Sequence, residues 1–306
     1  MVVTGVEFII GILGNGFIGL TICIAWIRNQ KLSLVDFILT SLAFARISQL
    51  WITAVMFFSM MFYQAGFGTV GRKYIFFCIW ILASHSSTWL ATCLAVFYFL
   101  KIASFSHPLF LWLKWRINKV VFMFPLVSVP FLVISFPWPY TVDIFWCHVR
   151  KMHERNMTEL CNVNEYKNLN FMIIYSVVSL PPFFLSLISF LLLLHSLWKH
   201  KKNIAHTARD SRDPHVEAHF RAMKTVFFFL MLFVLYQFGL FMTFGGHIFL
   251  QNKLVVMFGY LLEMLYPSSH SYVLIFGNSQ MRTFFLVILR HLKCGLKGRR
   301  HCWLRR

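Results

Sequence analysis

Acidic side chains are scarce in this sequence: 10 Asp and Glu stand against 29 Lys and Arg, and charged residues make up only 13% of its 306 positions. A soluble domain carries roughly 25% charged residues, so a shortage of this size excludes an ordinary water-bounded fold. The chain also lacks a P-loop, a dinucleotide fingerprint and a G-x-S-x-G nucleophile turn, which leaves no enzyme signature of those kinds. It has no internal repeat, which argues against an inverted-repeat transporter. No segment outside its apolar runs leaves room for a large soluble domain. What it has instead is hydrophobic surface: 58% of the residues are apolar and 36 are Phe. That is more than one core in water would bury, so much of it should face lipid.

Seven apolar windows emerge, at about 6–28, 34–59, 74–100, 119–138, 171–195, 223–246 and 255–278. Their lengths suit helices that cross a hydrocarbon layer of ~30 Å, and a lipid-exposed backbone must satisfy its own hydrogen bonds. Pro125 and Pro130 interrupt the fourth window and Pro267 the seventh, as kinks that neighbouring helices can absorb. The first window is too long for a signal-peptide core and no cleavage site follows it, so it reads as a retained span.

Basic residues are distributed unevenly between the two sides of this array. Twenty-one Lys and Arg fall at 28–31, 101–119, 199–224 and 282–306, against seven on the other side, with Arg46 inside the second window. The bias predicts an extracellular N-terminus and a cytoplasmic C-terminus. It also accounts for the net charge of +19 through membrane lipids rather than nucleic acid. The sequon Asn156-Met157-Thr158 falls in the loop 139–170 that this count places outside, which makes Asn156 a glycosylation site. Cys147 and Cys161 share that loop and could form a disulfide, with Cys78 as another partner. Cys294 and Cys302 lie in the basic tail, where palmitoylation and free thiols are both compatible readings.

Polar groups inside spans are costly and point to function or to structural pairing. Arg46 and Asn15 each lie 13 residues from the cytoplasmic end of their windows and Glu263 lies 15, or ~20 Å deep at 1.5 Å per residue. A buried Arg needs acceptors, so the expectation is an interhelical network of Asn15, Arg46, Glu263 and Ser271. Trp80 and Ser84 share a helix face, as do Tyr260 and Glu263. With Tyr236 they would line an aromatic cavity for a small amphipathic ligand; packing of abundant aromatics is the simpler alternative. His215 and His219, with His200 and His206 near, could share a helix face and hold a metal, but no second histidine box accompanies them and no metal site or other cofactor is expected.

Several strings then occur in a specific order. They include Asn15-Gly16-Phe17-Ile18, Leu32-Ser33-Leu34-Val35-Asp36, Leu42-Ala43 with Arg46, and Thr88-Trp89-Leu90-Ala91-Thr92-Cys93-Leu94. Phe97-Tyr98-Phe99-Leu100-Lys101, Phe105-Ser106-His107-Pro108, Pro182-Phe183, Arg212-Asp213-Pro214, His270-Ser271 and Asn278 follow. In this order and spacing the chain resembles the type 2, or bitter, taste receptors along nearly its whole length. The resemblance implies an all-α seven-transmembrane-helix bundle over 1–278, followed by a basic cytoplasmic tail, 279–306. It implies a plasma-membrane G-protein-coupled receptor that binds bitter molecules between its helices and activates a gustducin-type G protein, with no enzymatic activity and with a receptor oligomer among its partners.

By the same resemblance, Trp80, Ser84, Tyr236 and Tyr260 fall in the family's pocket. Some relatives carry an acid at the position of Tyr260; here the nearest acid is Glu263, one turn deeper. Tyr98, Lys101, Lys199, His200 and Lys224 are implied to face the G protein. Phe97-Tyr98 stands where rhodopsin-like receptors have an acid–Arg pair, so their ionic lock is not available. The runner-up readings are a pheromone-type seven-helix receptor and a small-molecule transporter.

Overall fold

The computed structural model describes residues 2–29, 33–62, 70–103, 105–135, 163–205, 214–246, 250 and 252–296. Among them the regular structure is entirely helical. The helices are α1 (Val2–Asn29), α2 (Leu34–Phe62), α3 (Val70–Ile102), α4 (Pro108–Trp115) and α5 (Ile117–Ser135). They continue with α6 (Val163–Ala205), α7 (Pro214–Gly245), α8 (Lys253–Gly277) and α9 (Ser279–Leu296). Six of them (α1, α2, α3, α5, α6 and α7) are each long and apolar enough to cross a membrane. The bent pair α8–α9 supplies a seventh if it counts as one span. Helices are the form in which each segment pairs its own N–H and C=O groups, as a lipid solvent requires.

Helices overrun the apolar windows. α6 covers 43 residues where the window spans 171–195, because helical hydrogen bonding propagates past the apolar layer into polar turns. The expected loop 101–119 contains α4, a short helix with Pro108 at its first position and the His107 imidazole accepting from the Leu109 N–H at 3.3 Å. Phe99, Phe105 and Phe110 close a ring cluster beneath it, with centroids 5.3–6.2 Å apart. The prolines bend no helix to the point of breaking it: α5 runs through Pro125 and Pro130, and α8 through Pro267.

Small residues set the closest approaches. A Cβ added at Gly14 would lie 2.6 Å from the Ser271 Oγ, and one at Gly11 would collide with the Ser268 hydroxyl. α1 therefore lies flush on α8. Outward-facing Leu13, Phe44, Trp51, Leu126 and Phe184 remain exposed, as a lipid-facing shell allows.

Caps fix two helix starts. Ser33 and Asp36 form a reciprocal pair at the start of α2, with Ser33 Oγ donating to Asp36 Oδ2 at 2.6 Å and the Asp36 N–H donating to Ser33 Oγ at 3.2 Å. At the far end of α8, the Asn278 N–H donates to the Leu274 carbonyl at 3.1 Å. Its Oδ1 accepts from the N–H groups of Gln280 and Met281 at 3.0 and 3.3 Å, which opens α9. The chain turns there by 103°, and Phe284 and Phe285 dock on Phe17 of α1 at 6.0 and 5.2 Å. The segment expected as a tail is thus helical as far as Leu296. Asn278→Ala removes both cap acceptances, worth about 1 kcal/mol. A drop in thermal midpoint of roughly 2–4 °C should follow, read by thermal unfolding of the purified protein. An unchanged midpoint would mean the turn is held by the phenylalanines alone.

Candidate functional site

Arg46 lies at the centre of the bundle and is fully buried. The sequence expectation paired it with Asn15 and Glu263; the structure gives those side chains other partners. Arg46 Nη2 instead meets His270 Nδ1 of α8, and its guanidinium carbon stands 5.5 Å from the Tyr266 ring centroid. Asn15 Nδ2 donates to the carbonyls of Gly11 and Pro267 at 2.9 and 3.0 Å. Glu263 accepts from Thr243 Oγ1 of α7 at 2.6 Å, and Ser271 Oγ donates to the Ser268 carbonyl at 2.6 Å.

The reason lies in helix geometry. Side chains lean toward the N-terminus of their own helix, so Arg46 reaches back toward the Ser33 end of α2. α8 runs antiparallel to α2, as the pairings of Arg46 with His270 and Phe57 with Tyr260 show. The acceptor Arg46 meets is therefore nearer the C-terminus of α8, seven residues or ~10 Å beyond Glu263.

A second buried layer joins α3, α6 and α7. Trp80 and Tyr236 are only 3% and 1% exposed. The Trp80 ring lies 5.3 Å from Tyr175 and stacks on Phe77 at 6.2 Å. The Tyr175 and Tyr236 hydroxyls stand 3.1 Å apart. Ser84 Oγ lies beside both phenols but outside hydrogen-bond geometry. Tyr260 is half-buried and meets Phe57 edge-on at 6.1 Å. Of the expected pocket residues, Trp80, Ser84 and Tyr236 thus come together in one layer, while Tyr260 packs toward α2. A groove of about 350 Å³ opens elsewhere, on the flank formed by Trp89, Trp112, Arg116, Lys119 and Phe124.

Sequence reasoning gave no role to Tyr175, Tyr266 or His270. A usable signal existed for two of them: Tyr266 and His270 are four apart and share a face of α8. It also missed the α3–α6 clasp. Thr92 Oγ1 stands 3.1 Å from the Pro182 carbonyl, and Ser186 Oγ donates to Thr92 Oγ1 at 3.0 Å.

At the opposite end of the bundle from Tyr260, Tyr98 is half-buried and Lys101, Lys199 and Lys224 are exposed. Lys101 Nζ sits 5.3 Å from the Phe97 ring and Lys224 Nζ 5.9 Å from Phe228. Phe105 stacks on His195 at 6.0 Å and Phe190 meets Phe227 at 6.1 Å, which brings the ends of α3, α6 and α7 together. His200 lies on α6, with its side chain outside the described residues, as are the side chains of His215 and His219. Asn156, Cys147, Cys161, His206 and Cys302 lie outside the described residues altogether. Among the described residues no cluster of His, Cys, Asp or Glu could hold a metal.

A taste receptor protein (TAS2R) family model matches residues 1–293. The chain is 39% identical over 297 residues to taste receptor type 2 member 7 of Macaca mulatta, covering 96% of this chain and 93% of that one. It is 41% identical over 296 residues to taste receptor type 2 member 9 of Homo sapiens, covering 96% and 94%. The chain belongs to the type 2 taste receptor family. It is a chemosensory G-protein-coupled receptor and not an enzyme, and its helices make it a multi-pass membrane protein. Within this taste receptor, the polar layer around Arg46 and the aromatic layer around Tyr236 lie on one continuous stretch. Tyr266 touches both, 5.5 Å from the guanidinium carbon and 5.4 Å from the Tyr236 ring.

Proposed function

We propose that this receptor takes small bitter molecules between α3, α6, α7 and α8 and activates a gustducin-type G protein at the basic end of the bundle. The observation that supports the ligand site is the buried layer of Trp80, Tyr175 and Tyr236 around the Ser84 hydroxyl. Its aromatic walls and few polar groups suit a small amphipathic molecule. Glu263 and Tyr260 on α8 complete the wall of this site. Tyr98, Lys101, Lys199, His200 and Lys224 meet the G protein. The N-terminus faces outward, and so does the loop 139–170, which carries a glycan at Asn156 and where a disulfide of Cys147 with Cys161 or with Cys78 is open to formation. The C-terminal segment from 279 lies along the cytoplasmic leaflet of the plasma membrane, where its Lys and Arg meet anionic lipid.

A ligand activates only by binding the active arrangement more tightly than the resting one, so pocket substitutions should move potency. Calcium imaging of cells that express the receptor with a promiscuous G protein, against a panel of bitter compounds, tests this. An agonist should emerge, and Trp80→Ala should weaken it at least about tenfold at equal surface level, as expected for a lost aromatic wall. Unchanged potency in Trp80→Ala and in Tyr236→Ala would place the ligand elsewhere. Substrate flux without G protein would replace the receptor reading with transport.

A further inference from the structure

Arg46 is the largest of the fully buried side chains, and a guanidinium stays protonated in any protein setting. Its Nη2 is taken by His270, while its Nε and Nη1 have no hydrogen-bond partner. No carboxylate among the described residues pairs with it: Glu263 is held by Thr243, and Asp36 by Ser33 at the end of α2. His270 offers no negative charge, because the nitrogen that accepts from Arg46 forces the ring proton onto Nε2. That Nε2 also has no partner.

The groups nearby are donors or donor-capable. The Tyr266 hydroxyl lies beside Arg46, Ser87 and Thr88, yet neither it nor Ser87 Oγ reaches a hydrogen-bond partner. Both residues are buried, at 1% and 0% exposure. Water could occupy such donors but would leave the charge uncompensated, and an isolated buried charge is the most costly arrangement a bundle interior can hold. An anion answers the charge and the idle donors together. The unpartnered acceptors Gln49 Oε1 of α2 and Asn15 Oδ1 of α1 suit water rather than the anion.

We propose that a single small monovalent anion, chloride in a physiological medium, binds beside Arg46 Nε and Nη1 with the hydroxyls of Ser87 and Tyr266 completing its shell. The site joins α2, α3 and α8, so occupancy clamps three spans at mid-depth. It is independent of the ligand and G-protein assignments above, and its test needs neither.

Purified receptor is unfolded thermally in buffers of constant ionic strength, with chloride replaced stepwise by gluconate, which is too large to enter. The midpoint should rise saturably with chloride, by roughly 3 °C overall, and bromide should substitute for chloride. Tyr266→Phe keeps the ring over the guanidinium and drops only the hydroxyl. It should raise the half-saturating chloride concentration about tenfold, the loss of one charge-assisted hydrogen bond. Arg46→Met should abolish the anion response. A wild-type midpoint that ignores chloride, or a response that persists unchanged in both variants, would show that water alone fills the layer and overturn the proposal. If Arg46→Met does not fold, bromide soaked into crystals of the wild type decides. An anomalous peak at the Arg46 donors supports the site, and its absence rejects it.

Discussion

His270→Leu is expected to remove folded receptor from the cell surface, while Arg46→Met/His270→Leu restores it. The single change deletes the one hydrogen-bond acceptor that Arg46 has among the described residues. Leaving a buried charged donor without its acceptor costs about 1–3 kcal/mol or more, a large share of the roughly 5–15 kcal/mol by which a folded protein is stable. The aromatic setting sharpens the effect. The His270 ring lies 5.4 Å from Phe229 and 6.2 Å from Tyr266, so leucine replaces its acceptor nitrogen with apolar surface among rings. Removing both partners replaces them with apolar groups of similar bulk, which is often close to neutral. Surface staining of the three variants against wild type measures this directly. A single variant as abundant as the double would mean that His270 contributes nothing that Arg46 depends on.

Gly259→Val should be at least as damaging, for a steric reason. Gly259 of α8 faces Gly239 of α7, in the most extensively packed helix pair of the bundle. A Cβ at Gly259 would stand 2.6 Å from the Thr243 backbone nitrogen and 2.8 Å from the Gly239 carbonyl oxygen, and would collide with the Thr243 hydroxyl. These neighbours are backbone atoms, so the helices must separate rather than a side chain turn aside. Close approach at small residues is a main source of helix association in lipid, where no hydrophobic force draws helices together. Separation also pulls Thr243 from Glu263, which it meets at 2.6 Å, and leaves a carboxyl without its donor. Even Gly259→Ala should lower the thermal midpoint, by the roughly 1–3 kcal/mol typical of overpacking, and the valine variant should yield little folded protein. A valine variant of normal yield and midpoint would show that α7 and α8 are free to slide apart.

Much of the architecture was legible one residue at a time. The scarcity of acids and the runs of Leu, Ile and Phe placed the helices, since transfer to lipid depends on composition and on the length of an apolar stretch. The caps at Ser33 with Asp36 and at Asn278 were not read from the sequence, although their chemistry acts within three or four residues. α4 escaped because its eight residues are too few for a hydropathy window, although Pro108 marked its start. Counting placed Arg46, Asn15 and Glu263 in the interior, where all three are buried, and the i, i+4 spacing of Trp80 and Ser84 put them on one face of α3.

Which of those residues would meet was decided by the tertiary structure alone. The sequence determined that Arg46 is buried at mid-depth; it did not determine that His270 accepts from it or that Glu263, ~10 Å away along α8, turns to Thr243. Depth along a span is one coordinate and follows from counting residues. Partnership also requires the rotation of each helix about its axis and the lean of each side chain toward its own N-terminus. Those are set only when glycine contacts such as Gly259 against Gly239 fix how the helices seat on one another.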